Sequence, residues 1–254
     1  MSEFVQYEVD NHVARITFNR PERLNAFTHE MGLAFRGALL DFDNDDDAWV
    51  GIITGTGRSF CAGRDIKAQV EAGEATLPRY SYEYNIFGIV DTDKPLIAAV
   101  NGFAIGLGWY ITVGCDFRIA AESAQFGMAE IPTGLMGPYW FSAVESLPWC
   151  IGAELTLIGD RIDARRAYQH GLVNEVVADD QLLETAERWA DRVLALPPQH
   201  VYRTKALMRS MRNMPDAPML DREVEARTHL NALDDTMEAA VAFAEKRTPK
   251  FTGR

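Results

Sequence analysis

Two glycine-punctuated junctions hold the residues whose spacing points to chemistry. The first runs Gly55-Thr56-Gly57-Arg58-Ser59-Phe60-Cys61-Ala62-Gly63-Arg64-Asp65-Ile66-Lys67. The second runs Ala98-Ala99-Val100-Asn101-Gly102-Phe103-Ala104-Ile105-Gly106-Leu107-Gly108-Trp109-Tyr110 and on through Gly114-Cys115-Asp116. Each passes from an apolar strand through glycines into a helix start. Such a turn leaves backbone N–H groups without intrahelical acceptors, with the positive end of a helix dipole behind them. Two such donors from separate loops, converging on one carbonyl oxygen, form an oxyanion hole. Deleting one donor of this kind typically costs about 10²–10³ in rate. Glycine suits both junctions because the backbone must approach a ligand closely or adopt positive φ. Taken singly, each junction also reads as an ordinary strand-to-helix turn.

Other chemistries fail on spacing. The acidic run Asp41-Phe42-Asp43-Asn44-Asp45-Asp46-Asp47 invites a calcium reading, but an EF-hand loop needs glycine at its sixth position and glutamate at its twelfth. Counting from Asp41 gives Asp46 and Ile52, and counting from Asp43 gives Ala48 and Thr54, so a solvated helix end is expected. Gly106-Leu107-Gly108 lacks the third glycine of a dinucleotide loop. No Gly-x-x-x-x-Gly-Lys-Ser/Thr loop and no Gly-x-Ser-x-Gly elbow occurs. His12, His29, His170, His200 and His229 never fall four apart, and Cys61, Cys115 and Cys150 are too scattered for a disulfide framework or a zinc site. The cysteines are expected to be buried free thiols, and metal, nicotinamide and Ser-His-Asp chemistry are disfavoured.

The elements that must position the junctions follow from periodicity. Val13-Ala14-Arg15-Ile16-Thr17-Phe18 alternates apolar and polar residues and is stopped by Asn19-Arg20-Pro21, which predicts a strand. Met31, Phe35, Ala38, Leu39 and Phe42 recur at helical spacing and predict a helix over 28–42. Short apolar runs at 49–55 and 96–100 predict strands leading into the two junctions, and 117–120 and 125–126 predict two more. Beyond residue 140 strand signals nearly vanish, with alternation only at Leu172-Val173-Asn174-Glu175-Val176-Val177. Amphipathic helices are expected over 181–196, 201–211 and 219–246, separated by Pro197-Pro198 and by Pro215 and Pro218. The architecture inferred is an α/β core over 1–195 followed by a helical region over 196–254.

Composition bounds the rest. The chain has 254 residues, 47% hydrophobic and 24% charged, an ordinary globular balance that can bury a sizeable core. No apolar run reaches the roughly 18–20 residues of a membrane helix. The opening MSEFVQYEVDNH has neither the basic head nor the apolar stretch of a signal peptide, so a cytoplasmic protein with no membrane role is expected. A formal net charge of −12 argues against nucleic acid, since phosphate binding needs a basic face. Any anionic ligand would have to meet a locally basic patch.

Taken together, five segments resemble the enoyl-CoA hydratase/isomerase (crotonase) family, over almost the whole chain. They are Asn19-Arg20-Pro21 with Leu24-Asn25-Ala26; Phe60-Cys61-Ala62-Gly63-Arg64-Asp65-Ile66; Ala99-Val100-Asn101-Gly102 with Gly106-Leu107-Gly108 and Cys115-Asp116; Ala124-Gln125-Phe126-Gly127 with Glu130; and Gly171-Leu172-Val173-Asn174-Glu175-Val176-Val177. Each is weak alone, and their order and spacing are specific. The resemblance implies a spiral of ββα units with a helical C-terminal trimerisation region, giving a homotrimer or a dimer of trimers. It implies an acyl-CoA substrate and no cofactor beyond the coenzyme A that the substrate carries. It assigns the oxyanion N–H groups to Arg64, after Ala62-Gly63, and to Leu107, between Gly106 and Gly108. Arg23, Leu24, Asn25 and Ala62 would cradle the adenine and pantetheine end beside Asp65 and Ile66, and Lys250 and Phe251 match a tail that reaches coenzyme A. Arg58, Lys67 and the Arg64 guanidinium are further candidates for the basic patch.

Hydratases of this family typically set two glutamates over the α and β carbons of the substrate, because adding water needs a base and an acid together. The second is present here as Glu130, and the first position holds Tyr110. One glutamate suffices to move a proton between carbons, so the carboxylate count favours an isomerase. A hydratase with Tyr110 assisting, an acyl-CoA decarboxylase or hydrolase using Tyr110 or Tyr139, and a silent CoA-binding homologue are the alternatives. Tyr110 also reads as an aromatic wall of the acyl pocket. Gly134-Leu135-Met136-Gly137-Pro138-Tyr139-Trp140 brings proline and two large rings where relatives often carry glycines, which is expected to fit the pocket to a short, cyclic or aromatic acyl group.

Overall fold

In the computed structural model, residues 3–71, 92–135, 142–212, 234–247 and 250 are described. A hairpin opens the chain: β1 (Val5–Asp10) pairs antiparallel with β2 (Val13–Phe18), turned by Asn11 and His12, which both adopt positive φ. From β2 onward the main sheet is parallel, through β3 (Val50–Gly55), β4 (Leu96–Val100), β6 (Phe117–Ala121) and β9 (Glu175–Val177). A second sheet of three short strands holds β5 (Phe103–Ile105), β7 (Gln125–Gly127) and β8 (Arg161–Asp163), with β7 in the middle. The helices are α1 (His29–Asn44), α2 (Ile66–Glu71), α3 (Leu107–Gly114), α4 (Ser142–Ser146), α5 (Trp149–Ala153), α6 (Ala164–Gln169), α7 (Leu182–Leu194), α8 (Pro198–Arg212) and α9 (Asp234–Glu245).

The main sheet is covered on both faces, which is why β3 and β4 are buried almost end to end. On one face Met31, Phe35, Ala38, Leu39 and Phe42 of α1 pack on Ile16, Phe18 and Ile53. Phe18 meets Phe27, Phe35 and Phe60 edge-on at centroid distances of 5.1, 5.1 and 5.4 Å, the arrangement aromatic quadrupoles favour. On the other face Leu182, Ala186 and Ala190 of α7 cover Val50, Ile52, Ile97, Ala99 and Ile119. The strands β3, β4, β6 and β9 are therefore held rigidly where they feed the loops at their ends.

Several expectations shift. Strand β1 is not among those expected, although Val5-Gln6-Tyr7-Glu8-Val9-Asp10 alternates apolar and polar residues; β5 and β8, three residues each, are too short to show alternation, and β9 is limited to Glu175–Val177. Helix α8 begins at Pro198, because proline fits the first turn of a helix where its missing N–H is not needed. Cys61 and Cys115 are buried free thiols, whereas Cys150 is exposed on the short helix α5. The acidic run at 41–47 is largely solvated but anchored. Lys94 Nζ donates to Phe42 O at 2.7 Å and Asp45 O at 2.6 Å, closing the C-terminus of α1. Among the described residues no three His, Cys, Asp or Glu side chains are grouped to hold a metal, and no helix is long and apolar enough to cross a membrane. The expected helix over 219–246 is described from Asp234 onward, as α9.

Candidate active site

The two glycine junctions are zipped to each other. Ser59 bridges Gly102 and Cys61 bridges Ala104. Cys61 N–H donates to Phe103 O at 2.8 Å and Ile105 N–H donates back to Cys61 O at 3.0 Å. The segment after β3 thus continues as an edge along β5. Helix α3 then lies so close to this edge that a Cβ on Gly108 would overlap Cys61 O and stand 3.0 Å from Cys61 Cβ. Only glycine permits that approach.

Two candidate donors flank this seam. Gly106, at φ 54° and ψ −111°, turns the chain from β5 into α3, and Leu107 opens the helix, so its N–H has no acceptor within it. Across the seam Gly63 adopts φ 101°, and a Cβ there would stand 3.1 Å from Ile105 O and 3.9 Å from Leu107 N. Phe27 N–H donates to Gly63 O at 2.8 Å and Asp65 N–H to Phe27 O at 3.0 Å, a parallel bridge centred on Arg64. In that pattern the amide of Arg64 itself faces the edge opposite Phe27. The two loops expected to supply oxyanion donors therefore lie side by side.

Glu130 enters the same place from the second sheet. It follows β7, which is pinned by Gly106 N–H donating to Gly127 O at 2.9 Å, and it caps the 3₁₀ turn Ile131–Thr133. Thr133 Oγ1 donates toward Ala129 O and Glu130 O at 2.8 and 2.9 Å, and Leu135 N–H donates to Glu130 O at 2.8 Å. The Glu130 Oε1 stands 3.2 Å from where a Cβ on Gly106 would be, so glycine at 106 also makes room for the carboxyl. Oε2 is buried with no hydrogen-bond partner in the protein. Burial pushes the Glu130 carboxyl above the usual glutamate range, opposed by backbone hydrogen bonds at Glu130 and Ala129, by the Tyr110 hydroxyl and by the charge of Arg64. Tyr110 is one turn beyond Leu107 on α3 and nearly buried. Glu130, Tyr110, Arg64 and Leu107 thus meet, and a carboxyl that ionises reluctantly stands beside two candidate N–H donors.

The loop of Arg23, Leu24 and Asn25 reaches the same edge, with Ala62 N–H donating to Leu24 O at 3.0 Å. Leu24 and Asn25 both adopt φ 54°. Asn25, placed among the ligand-cradling residues on resemblance, is completely buried, and its amide is spent on the chain. It accepts from Arg20 N–H at 2.8 Å and donates to Thr56 O and Ser59 O at 3.0 and 2.6 Å. Asp65 is likewise occupied, pairing with Arg20 at 2.7 Å and accepting from Ala68 N–H at 2.9 Å at the start of α2. Burial raises the Asp65 carboxyl, but Ala68 N–H and the Arg20 guanidinium outweigh it and hold it below the usual range. Arg23, Arg58 and Lys67 are exposed, and Ile66 is half-buried at the head of α2. Lys250 is exposed, its N–H donating to Glu238 Oε1 at 2.7 Å at the end of α9, a helix that packs on α2 and on the turn after Glu130. Phe251, Tyr139 and Trp140 lie outside the described residues. Arg20 carries the loop and was given no role from sequence. Its partner Asp65 is 45 residues away, and no periodicity links them.

Comparison with known proteins gives the family and the fold. The enoyl-CoA hydratase/isomerase family model matches residues 8–254. The chain is 37% identical to enoyl-CoA hydratase EchA19 of Mycobacterium tuberculosis, over 96% of this chain and 94% of that one. It is 32% identical to 1,2-epoxyphenylacetyl-CoA isomerase of Escherichia coli, over 100% of both chains. The crystal structure of carnitinyl-CoA hydratase from Mycobacterium avium matches with a TM-score of 0.90 at 34% identity, covering 100% of both chains. The spiral α/β architecture is the crotonase fold, and the chain belongs to the enoyl-CoA hydratase/isomerase family.

Proposed function

We propose that this enzyme isomerises the double bond of an enoyl-CoA thioester, with Glu130 as the only carboxylate that handles the proton. The thioester oxygen accepts from the amides of Arg64 and Leu107. Glu130, ionised, takes a proton from the α-carbon of a 3-enoyl thioester. The electron pair moves into a dienolate whose oxygen those amides stabilise. The protonated Glu130 then returns the proton to the γ-carbon, leaving the 2-enoyl thioester. The observation that carries the reading is the buried, reluctantly ionised carboxyl beside Gly106, with a tyrosine where a second carboxylate would stand. A carboxyl of raised pKa is suited both to take and to return a proton near neutrality.

Under this reading Arg23, Leu24 and Ala62 flank the coenzyme A, Lys250 and Phe251 reach it from the C-terminus, and the enzyme works in the cytoplasm as a homotrimer or a dimer of trimers. Incubation with a 3-enoyl-CoA, followed by mass spectrometry, is expected to show double-bond migration without mass change. Glu130→Gln is expected to lose on the order of 10²–10⁴ of that rate, the usual worth of a positioned acid/base. Undiminished turnover in Glu130→Gln rejects the assignment.

A second reading has its own observation. The Tyr110 hydroxyl is close enough to Glu130 to favour its ionised form, and a hydroxyl there also suits a water to be added across a 2-enoyl thioester. Gain of one water from a 2-enoyl-CoA, abolished in Tyr110→Phe, would select the hydratase instead.

A further inference from the structure

The turn that presents Glu130 is gripped from outside by a segment that has no part in the reaction as described. Residues Glu154–Ile158 form a π turn, closed by Gly159 N–H donating to Glu154 O at 3.2 Å. A π turn carries one extra residue and recurs beside functional sites. Here it delivers Gly159, at φ 80° and ψ 21°, onto the ring of Pro132. A Cβ at position 159 would overlap Pro132 Cγ, stand 2.7 Å from its Cδ and lie 3.3 Å from Met128 O. Met128 and Pro132 are the residues two before and two after Glu130, so one glycine touches both shoulders of the turn. Thr156 Oγ1 adds a contact to Met128 Sδ at 3.6 Å. The segment is itself anchored by the Arg166–Glu154 ion pair at 2.7 Å and by β8 pairing with β7.

We propose that Gly159, with the π turn before it, is a positioning residue that sets where the Glu130 carboxyl stands relative to the Arg64 and Leu107 amides. The proposal rests on Glu130 being the acid/base and goes beyond it by assigning what aims that group. The turn is closed by its own hydrogen bonds, from Thr133 and Leu135 to Glu130 O, so it sits against its neighbours as a unit, packed by α9 on one side and by the π turn on another. Gly159, lying against both shoulders, bears on where that unit stands. Displacement of a catalytic group by about 1 Å costs on the order of 10² in rate.

The test compares Gly159→Ala with Gly171→Ala. Gly171 has φ 74° and nothing within 4 Å of an added Cβ, so both changes strain left-handed backbone but only one meets Pro132. Gly159→Ala is expected to lower kcat by roughly 10–100-fold with little change in KM. It is also expected to move the acid limb of the kcat/KM profile toward the ordinary carboxylate range, as the carboxyl leaves its buried seat. Gly171→Ala is expected to leave kcat and the profile in place. Pro132→Ala removes the atoms that a Cβ would strike, so Gly159→Ala/Pro132→Ala is expected to recover most of the lost kcat, which also decides the matter if Gly159→Ala alone does not fold. Equal kcat in the two single glycine variants, or losses that merely add in the double variant, overturns the proposal. With Glu130→Gln measured in parallel, an inactive Glu130→Gln beside a fully active Gly159→Ala overturns the clamp alone, and an active Glu130→Gln overturns the clamp and the acid/base reading together.

Discussion

At the scale of the residue, Glu130 holds a carboxyl where ionisation is costly, and that cost has a measurable sign. Its folded pKa lies above the unfolded value because burial disfavours the charge. A carboxyl raised in this way favours the folded state fully below its unfolded pKa, and that contribution is lost as pH rises through the folded pKa. Glu130→Gln, which never ionises, is therefore expected to melt above the wild type at neutral pH. The difference should vanish as pH falls to the ordinary glutamate range, about 4.3; thermal denaturation across pH 4–8 reads it. Tyr110→Phe removes a group that favours the carboxylate, so the acid limb of kcat/KM is expected to move to higher pH. On the isomerase reading Tyr110→Phe keeps kcat on the alkaline plateau within about tenfold, since the hydroxyl is then not a proton donor in the reaction. A pH–rate profile on one 3-enoyl-CoA checks both.

At the scale of the element, the site depends on how closely α3 can lie on the edge that runs through Cys61. Gly108 makes that approach possible, and Gly106 leaves room for the carboxyl at its start. Gly108→Ala would have to push α3 off Cys61, moving the Leu107 amide away from Gly63. Overpacking of this kind costs about 1–3 kcal/mol, and the melting temperature is expected to fall by roughly 2–4 °C for each kcal/mol. Activity is expected to fall further than stability does, because the donor is displaced along with the helix. Calorimetry and initial rates on the same preparation check it; a variant that melts early but turns over normally would show that the Leu107 amide does not need this seat.

At the scale of the molecule, a protein of formal net charge −12 would, on the proposed reading, have to take an anionic thioester. The general field would then repel the substrate, and the exposed Arg23, Arg58 and Lys67 around the Gly63 junction are the candidates for a local correction. Arg23→Glu is expected to raise KM for a CoA thioester severalfold at low ionic strength. The effect should fade as salt shortens the screening length from about 30 Å at 0.01 M to about 8 Å at 0.15 M. A KM unchanged at low salt would place coenzyme A elsewhere. Sedimentation of the purified enzyme is expected to give three or six times the chain mass, in line with the proposed assembly.

Much was legible in the order of residues alone. Helix α1, the strands β2, β3, β4 and β6, and the glycine junctions show themselves because periodicity and glycine placement are local properties, recorded within a few residues. The family, and Glu130 with Tyr110 in place of a second carboxylate, follow from the order of short segments. What only the tertiary structure decided are relations between distant residues. The partners of the Asn25 and Asp65 side chains, Arg20, Thr56 and Ser59, come from folding, and Gly159 carries no signal until it is brought onto Pro132. The physical reason is that a side chain's partners and its desolvation are set by which segments pack together, and the spacing along the chain of residues tens of positions apart does not record that packing.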